Sequence, residues 1–475
     1  MVPPDLQQLV ENVVFRNPQR ALARLGELGE KPGEQLALVQ LVDVLRVALQ
    51  EAADPDAGLH HFSRFVHAHG ARWQLYRLLK DHPAALDTLV RVVASSNYLA
   101  DILVRNPEYF DFVSNHGLLQ PRTLAESAAE LSRTWSAFRS RFSQFDAVRR
   151  FRRREILRIG IADVIGRYSL PLVTDQLSVL ADNVVSQCLK IIENGEPSRL
   201  FVLALGKLGG HELNYSSDID LVFVSSSDQV EAATQTAMQL NKVLGDATSE
   251  GFMYRVDLRL RPYGASGALV VSSEMLTKYL AETAFPAERQ AMLKVRVIAG
   301  DVRAGAEWFD DVSAILHQDA DRIRAQVRGL KDRIEREQLT KTSCYENVKI
   351  GPGRIRDAEF VVQALQIENL RAHETLRNGN TLQAIEHLQR LQLLSDQEAK
   401  PLANAYEFLR NVEHRLQLMD NRQVHAIPSD PTTRTVLARS VGCGGADPAD
   451  AFQQQLEAAT ATIRTIFERV LPRIG

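Results

Sequence analysis

Cysteine, long apolar runs and net charge are all scarce in this sequence, and each scarcity excludes a class of protein. The three cysteines, Cys188, Cys344 and Cys443, lie far apart and form no CxxC pair, which argues against a disulfide framework or a zinc ribbon. No apolar run approaches the roughly 18 residues of a membrane span, and the N-terminal residues lack the apolar stretch of a signal peptide. The formal net charge of −3 argues against a protein that coats nucleic acid. We therefore expect a cytoplasmic protein that contacts neither membrane nor nucleic acid.

The pattern of apolar residues predicts a mostly helical α+β protein. At 475 residues the chain exceeds what one hydrophobic core normally fills. Apolar residues recur at steps of three and four in about the first 150 residues, and again from about residue 305 to the end. We predict an N-terminal helical domain (1–154), a central core with a small mixed sheet (155–310) and a C-terminal helical bundle (311–475).

Four short segments in the central region carry the strand pattern. They are LFVLAL, DIDLVFV, GFMYRVDLRLRP and GALVVSS, and a helical segment separates the second from the third. The sheet is therefore expected at about residues 200 to 275.

Two aspartates stand at the beginning of the second predicted strand. On a strand alternate side chains share a face, so Asp218 and Asp220 point the same way with Cα atoms about 7 Å apart. Carboxylates beside a buried strand are costly to desolvate unless a cation compensates them. A lone DxD is more often a strand end or turn without metal. Here the glycine loop that begins at Gly206 and the further carboxylate of Asp257 favour a functional site.

The third predicted strand alternates between charged and apolar residues. Its charged face carries Arg255, Asp257, Arg259 and Arg261, and this face must meet water, metal or phosphate. Three carboxylates and several arginines on one side of a small sheet suit a two-metal phosphoryl or nucleotidyl transfer site. Mg²⁺ fits such a site because it needs only one or two carboxylates together with substrate oxygens.

Two further features bear on phosphate and nucleic-acid binding. The glycines at 206, 209 and 210 let backbone amides approach a phosphate closely. The loop is not a Walker A motif, because no hydroxyl follows Lys207. The arginine-rich segment DAVRRFRRREILR could bind nucleic acid, but a basic helix packed beside an acidic or phosphate-binding site is the favoured interpretation.

The segments GKLGGHELNYSSDIDL and YRVDLRLRPYGASGALV together resemble a known family. They are similar to glutamine synthetase adenylyltransferase, the bifunctional adenylylating and adenylyl-removing family of the DNA polymerase β-like nucleotidyltransferases. The resemblance extends to RRREILRIGIADVIG, ERQAMLKVRVIAGD, VKIGPGRIRDAEFVVQ and AYEFLRNVEHRLQLM, roughly residues 85 to 440. Members carry two such halves, whereas this sequence has the glycine loop and the DxD only once.

The resemblance implies an activity and a set of site residues. ELNYSSDIDL, YRVDLRLRPYG and IRDAEF look more like the half that removes AMP from a tyrosine of glutamine synthetase by phosphorolysis. This implies two Mg²⁺ or Mn²⁺ ions on Asp218, Asp220 and Asp257, with orthophosphate as co-substrate and ADP as product. It also implies adenylylated glutamine synthetase, an adenine nucleotide and the PII signalling protein as partners. The candidate nucleotide and phosphate contacts are Gly206, Lys207, Ser217, Arg255, Arg259, Arg261, Lys294, Arg296, Lys349 and Arg356.

Two alternatives stay open at this point. The chain could instead be an adenylylating half that transfers AMP from ATP to glutamine synthetase. It could also be a non-catalytic regulatory module whose helices bind partners around a vestigial fold. The second alternative predicts the loss of some carboxylates, whereas all three are present here.

Overall fold

The computed structural model describes residues 3–313, 315, 328, 329, 331 and 346–472. The helical pattern between 316 and 345 lies almost entirely outside these residues, as does Cys344. Within the described part of the chain, no helix combines the length and the apolar character that crossing a membrane requires. The predicted domain boundaries at 154 and 310 stay predictions.

Residues 3–199 form helices and contain no strand, as the periodicity predicts. Several of these helices begin with proline in the first turn, where its missing N–H costs nothing, or with a side-chain cap such as Asn17, Asp54 or Thr123. The helices are α1 (Pro4–Asn12), α2 (Pro18–Leu28), α3 (Pro32–Val39), α4 (Val42–Glu51), α5 (Pro55–His69), α6 (Arg72–Asp81), α7 (Pro83–Ser95), α8 (Asn97–Arg105), α9 (Asp111–Ser114), α10 (Leu124–Ser136), α11 (Arg141–Val164) and α12 (Leu170–Glu193).

The arginine-rich segment lies on α11, and its side chains pair with acids of the same protein. Arg153 contacts Glu250 at 2.7 Å, and the buried Arg158 contacts Glu155 at 2.8 Å. Helix α11 packs against α10 and α12. The basic helix is thus packed within the fold and paired with acids of the same chain.

A small mixed sheet follows the first helices. Its strands are β1 (Leu200–Leu205), β2 (Ile219–Ser225), β3 (Val256–Asp257), β4 (Val270–Ser272) and β5 (Arg296–Gly300). Strand β1 pairs antiparallel with β2 on one side and with β5 on the other, while β3 and β4 both pair parallel with β2. The predicted α+β fold, mostly helical with a small mixed sheet, is confirmed.

The two central strands are buried on both faces. Side chains at 200, 202 and 204 of β1 join the core of the N-terminal helices, whereas those at 201, 203 and 205 join a second core built largely from C-terminal helices. This double burial explains why LFVLAL is a continuous apolar run rather than an alternating one. It also places the ends of β1 and β2 between the N-terminal and the C-terminal helices.

Two strand predictions need correction. The predicted long third strand is only the two residues of β3, because the Arg259 amide donates to the Asp257 carboxylate at 2.9 Å and turns the chain. The regular face of charged residues therefore ends at Asp257. Strand β5 was not predicted, and it extends the sheet to Gly300, beyond the expected end near residue 275.

The remaining helices lie within and after the sheet region. They are α13 (Gly206–Gly209), α14 (Val230–Gly245), α15 (Ser273–Lys278), α16 (Pro286–Ala291), α17 (Val302–Ser313), α18 (Ile355–Asn369), α19 (Thr381–Arg390), α20 (Asp396–Asp420), α21 (Pro431–Val441) and α22 (Pro448–Val470). Helix α20 begins with a capping box between Ser395 and Glu398. It packs along α22 and brings polar residues from far along the chain to the glycine loop.

Candidate functional site

Three carboxylates line one cleft at the edge of the sheet. Asp218 directly precedes β2, Asp220 lies within it, and Asp257 pairs in register with Asp220 across the parallel strands. Together they line a cleft of about 480 Å³. Of the predicted site residues, those that line it are Gly206, Lys207, Ser217, Asp218, Asp220, Asp257, Arg259, Lys294, Lys349 and Arg356. The structure thus brings together the acids that the sequence placed on one face.

The electrostatics of the cleft are dominated by the crowding of these acids. Burial, reinforced by the neighbouring charges of Asp257 and Asp218, raises the pKa of Asp220 to about 6. Lys349 acts in the opposite direction. Asp257 differs, because hydrogen bonds from Arg259 lower its pKa. Asp220 therefore lacks a cation sufficient to offset its desolvation.

The glycine that begins the loop is required by this carboxylate. Gly206 has φ +57°, and a Cβ at that position would lie 2.2 Å from Oδ2 of Asp220. Any other residue would both strain the backbone and displace the acid. Similarly, a Cβ on Gly209 would lie 1.8 Å from the Lys294 carbonyl oxygen. Close packing of the chain on itself explains both glycines.

The donor set fits a hard divalent cation. Asp218, Asp220 and Asp257 offer carboxylate oxygens only, which Mg²⁺ and Mn²⁺ prefer. In the described residues no three acidic, histidine or cysteine side chains already converge as a complete metal shell. Mg²⁺ does not demand one, because it is usually held by one or two carboxylates with water and substrate oxygens. The crowded, partly desolvated Asp220 is the observation that favours an added cation.

Two of the predicted phosphate-binding arginines are engaged by these acids. The Arg255 Nε donates to Asp218 at 2.6 Å, and the Arg259 Nε donates to Asp257 at 2.9 Å. Arg259 is exposed and lines the cleft, whereas Arg255 does not line it. As positioned, both arginines neutralise carboxylates.

Three more predicted contacts are held by other parts of the protein. Arg261 donates to backbone carbonyls of the turn that follows β3, including Gly267 at 3.1 Å, and lies outside the cleft. Arg296 pairs with Asp182 at 2.9 Å and also lies outside it. Lys294 lines the cleft, but its Nζ donates to the buried Glu212 at 2.6 Å. Their geometry is that of structural contacts.

Lys349 and Arg356 are the cleft cations that the protein leaves available. Neither side chain forms an ion pair with any residue that the structure describes. Their backbones are joined, since the Arg356 amide donates to the Lys349 carbonyl at 3.0 Å. Lys349 lies in the loop before α18 and Arg356 in the first turn of that helix, so the C-terminal region supplies these two cations of the cleft.

The sequence analysis missed a buried acid behind the cleft. Glu413 of α20 is fully buried and accepts hydrogen bonds from Lys207 Nζ at 2.7 Å and Asn214 Nδ2 at 2.8 Å. Its carboxylate also contacts His425 at 3.0 Å and Arg410 at 3.3 Å. Burial would raise the pKa of Glu413, but Lys207 and its other partners outweigh burial and hold it well below its usual range.

A signal for this acid was present in the sequence. Arg410, Glu413 and Gln417 recur at steps of three and four within AYEFLRNVEHRLQLM, so they share one face of the helix. All three are buried. A polar stripe on a buried helix face indicates an internal network and marks where the helix meets the rest of the site.

The family to which the chain belongs follows from comparison with known proteins. Residues 86–310 match the family model described as glutamate-ammonia ligase adenylyltransferase (GlnE), and the three carboxylates of the cleft lie within this range. The match assigns the chain to the nucleotidyltransferases as a class. The chain belongs to the glutamate-ammonia ligase adenylyltransferase family. Residues 321–471 match a second model, described as GlnD PII-uridylyltransferase.

Curated relatives carry the same family name. The chain is 33% identical over 456 residues to a bifunctional glutamine synthetase adenylyltransferase/adenylyl-removing enzyme of Streptomyces avermitilis, covering 92% of this chain and 45% of that protein. It is 32% identical to the protein of that name from Streptomyces coelicolor, covering 93% and 45%. A relative of the same name from Chromobacterium violaceum is 34% identical, covering 74% and 42%. The chain spans a little under half the length of these relatives.

Proposed function

We propose that this chain removes AMP from an adenylylated tyrosine of glutamine synthetase by phosphorolysis and releases ADP. The observation that carries the proposal is a single cleft with three carboxylates and two cations, Lys349 and Arg356, that no described residue neutralises. The relatives' name includes both an adenylyltransferase and an adenylyl-removing activity. The proposal therefore concerns which of these two activities, the attachment or the removal of AMP, this chain has.

The proposed reaction exchanges one phosphorus–oxygen bond for another. An oxygen of orthophosphate attacks the adenylyl phosphorus in line, and the bond from that phosphorus to the tyrosine oxygen breaks. The products are ADP and a tyrosine phenolate, which takes a proton from water. No covalent bond to the enzyme forms, so the protein supplies position and charge.

Orthophosphate brings close to two negative charges near neutral pH, and placing it beside a second phosphate requires cationic partners. Lys349 and Arg356 are suited to this role because binding an anion would not break an ion pair with any residue that the structure describes. Lys207, fixed by Glu413 at 2.7 Å, adds charge at the glycine loop. This assignment replaces the three arginines around Asp257 as the main phosphate contacts.

Asp218, Asp220 and Asp257 would hold Mg²⁺ or Mn²⁺ in this scheme. When bound, such ions would neutralise charge on the transferred phosphoryl group and orient its oxygens. Gly206 keeps the Asp220 carboxylate at the floor of the loop, and Ser217 lines the cleft beside Asp218. The acids thereby fix where the adenylyl phosphate must lie relative to Lys349 and Arg356.

The C-terminal helices suggest how the activity is controlled. Residues 321–471 match the PII-uridylyltransferase model, and in this chain they also supply Lys349, Arg356 and Glu413. We propose that the PII signalling protein contacts this region. Binding there would reach the cleft directly, through the residues that provide its free cations.

The test is to incubate the chain with adenylylated glutamine synthetase, Mg²⁺ and orthophosphate, and to identify the nucleotide released. ADP formed only when orthophosphate is present is the expected result. Free AMP without a phosphate requirement would mean hydrolysis. A parallel reaction with labelled ATP and unmodified glutamine synthetase tests the alternative of an adenylylating half. A chain that binds glutamine synthetase but catalyses neither reaction would be a regulatory module.

A further inference from the structure

Two exposed aromatic residues lie within three positions of residues that line the cleft. Tyr263 and Phe285 have 60% and 73% of their surface exposed. Tyr263 follows Arg259 and Leu260, which line the cleft, and Phe285 precedes Ala287, which also lines it. We call the pair Tyr263 and Phe285 the aromatic lip. Exposed apolar side chains are common singly, so their arrangement matters more than their exposure.

A chain of contacts joins the Tyr263 ring to the Phe285 backbone. The Tyr263 ring meets Tyr279 edge-on, with centroids 5.0 Å apart. The Tyr279 hydroxyl donates to Oε1 of Glu288 at 2.8 Å, and the Phe285 amide donates to Oε2 of the same carboxylate at 2.7 Å. The Tyr263 ring and the Phe285 backbone are thus held in place before any partner binds, which lowers the entropy that binding would cost.

The backbone beneath the lip is unusual at two places. Tyr263 has φ +62°, a left-handed conformation that is costly for a bulky residue. Residues Tyr279–Thr283 form a single π turn, an irregularity found frequently at functional sites. Strain of this kind persists where the surrounding structure holds it, and Tyr263 contacts the Tyr279 ring and accepts a hydrogen bond on its carbonyl from the Ser266 hydroxyl at 2.9 Å.

We propose that the aromatic lip binds the protein segment that carries the adenylylated tyrosine. The inference rests on the proposed function and names the surface by which that site recognises its protein partner. A cleft of about 480 Å³ is large enough to take up a small ligand such as the adenylyl group. The polypeptide attached to that group must leave the cleft over its rim, and the lip stands on two segments that border the cleft. Rigid aromatic anchors are typical of the centres of protein interfaces.

Two variants and a control test the lip. Phe285→Ala removes one ring, and Tyr263→Asn removes the other while keeping a residue that tolerates the left-handed backbone. Phe142→Ala is the matched control, because Phe142 is 67% exposed but lies at the start of α11 and does not line the cleft. Each variant is assayed on adenylylated glutamine synthetase and on a small substrate, the O-adenylyl ester of N-acetyltyrosine amide.

The expected result is a selective loss on the protein substrate. Each lip variant should raise KM for adenylylated glutamine synthetase about 10-fold, the loss typical of one interface anchor. KM for the small substrate, and kcat for both, should change less than about twofold. The control should match the parent chain on both substrates.

Other outcomes overturn the inference in distinguishable ways. Equal losses on both substrates would place the rings against the nucleotide, and no loss on either would remove them from recognition. Direct binding to adenylylated glutamine synthetase, measured by biolayer interferometry, separates this inference from the proposed function. If the parent chain binds but turns over neither substrate, the proposed function fails. Weaker binding by the lip variants would then still support the lip as a binding surface for glutamine synthetase. If the parent chain does not bind, the lip proposal fails.

Discussion

Two groups of carboxylates flank the glycine loop, and the charges that surround them differ. The cleft acids, Asp218, Asp220 and Asp257, crowd one another, and the pKa of Asp220 is raised to about 6 by burial and by its acidic neighbours. The buried acids, Glu212 and Glu413, are surrounded by cations instead. Burial would raise the pKa of Glu212, but Lys294 and Arg410 outweigh it and lower the pKa.

This difference distinguishes a site that can bind a cation from solvent from one that only supports the fold. Glu212 accepts from Lys294 at 2.6 Å and from the Thr381 amide at 2.8 Å, so it joins the glycine loop to α19. Glu413 joins the same loop to α20 through Lys207. A buried carboxylate with this many donors needs no ligand. A crowded carboxylate that faces a cleft gains most from a cation brought from solvent.

The largest effect is expected from breaking the buried group. Glu413→Gln removes the charge opposite Lys207 and Arg410 while keeping the shape of the side chain. Losing one partner of a buried pair leaves uncompensated charge, so the free energy of unfolding should fall by about 3–5 kcal/mol. Denaturant titration followed by circular dichroism measures this loss. Glu407→Gln on the same helix is the matched control, because in the described part of the chain Glu407 forms no ion pair.

The same variant should also lose activity, because Lys207 would no longer be fixed at the glycine loop. A Glu413→Gln protein as stable as the parent would contradict the structural role of this group. It would mean that Asn214 and His425 hold the network without the charge.

A smaller effect, on turnover rather than on stability, is expected from changing the cleft acids. Asp220→Asn should lower turnover of adenylylated glutamine synthetase by at least about 10²-fold, the scale of losing one strong electrostatic contact in a transition state. Its stability without metal should not fall, since the change relieves repulsion among crowded acids. Turnover and thermal unfolding are measured on one preparation, together with Mn²⁺ binding by electron paramagnetic resonance. Asp228→Asn, an exposed acid beyond β2, is the control.

Parent-like turnover by Asp220→Asn would remove this residue from the reaction. A loss of stability as large as that of Glu413→Gln would erase the distinction between the two groups of acids.

Sequence alone predicts the cleft acids and several residues that line the cleft with them, but not the buried network behind the cleft. Asp218 and Asp220 share a face because strand geometry is local, and Asp257 was recognised from a charged pattern that proved to be a two-residue strand and a turn. The turn forms because the Asp257 side chain captures the Arg259 amide, and no strand periodicity reveals this. Glu413 reaches Lys207 across 206 positions, through the packing of α20, so local pattern could not pair them.

The smallest expected effect is a pH dependence of activity that arises from Lys207. This residue links the two groups, because it lines the cleft and also contacts the buried Glu413. Burial lowers the pKa of Lys207 to about 8, although Glu413 opposes the shift. If the protonated amine contributes charge at the cleft, kcat/KM should fall as pH rises through about 8, at about tenfold per pH unit above it. Lys207→Arg should shift this alkaline limb of the pH profile to higher pH, because a guanidinium stays charged. Lys349→Arg, a change on the same cleft, should leave the limb in place.

Stability should change in the opposite direction over the same range. Since the folded chain releases the Lys207 proton at lower pH than the unfolded chain does, the unfolded state binds more protons between pH 8 and about 10.5, the usual pKa of lysine. The free energy of unfolding attributable to Lys207 should therefore rise with pH in that window. The difference between the parent chain and Lys207→Arg isolates it from other titrating groups. If activity and this difference fell together above pH 8, the limb would reflect unfolding, and Lys207 would belong with the buried group alone.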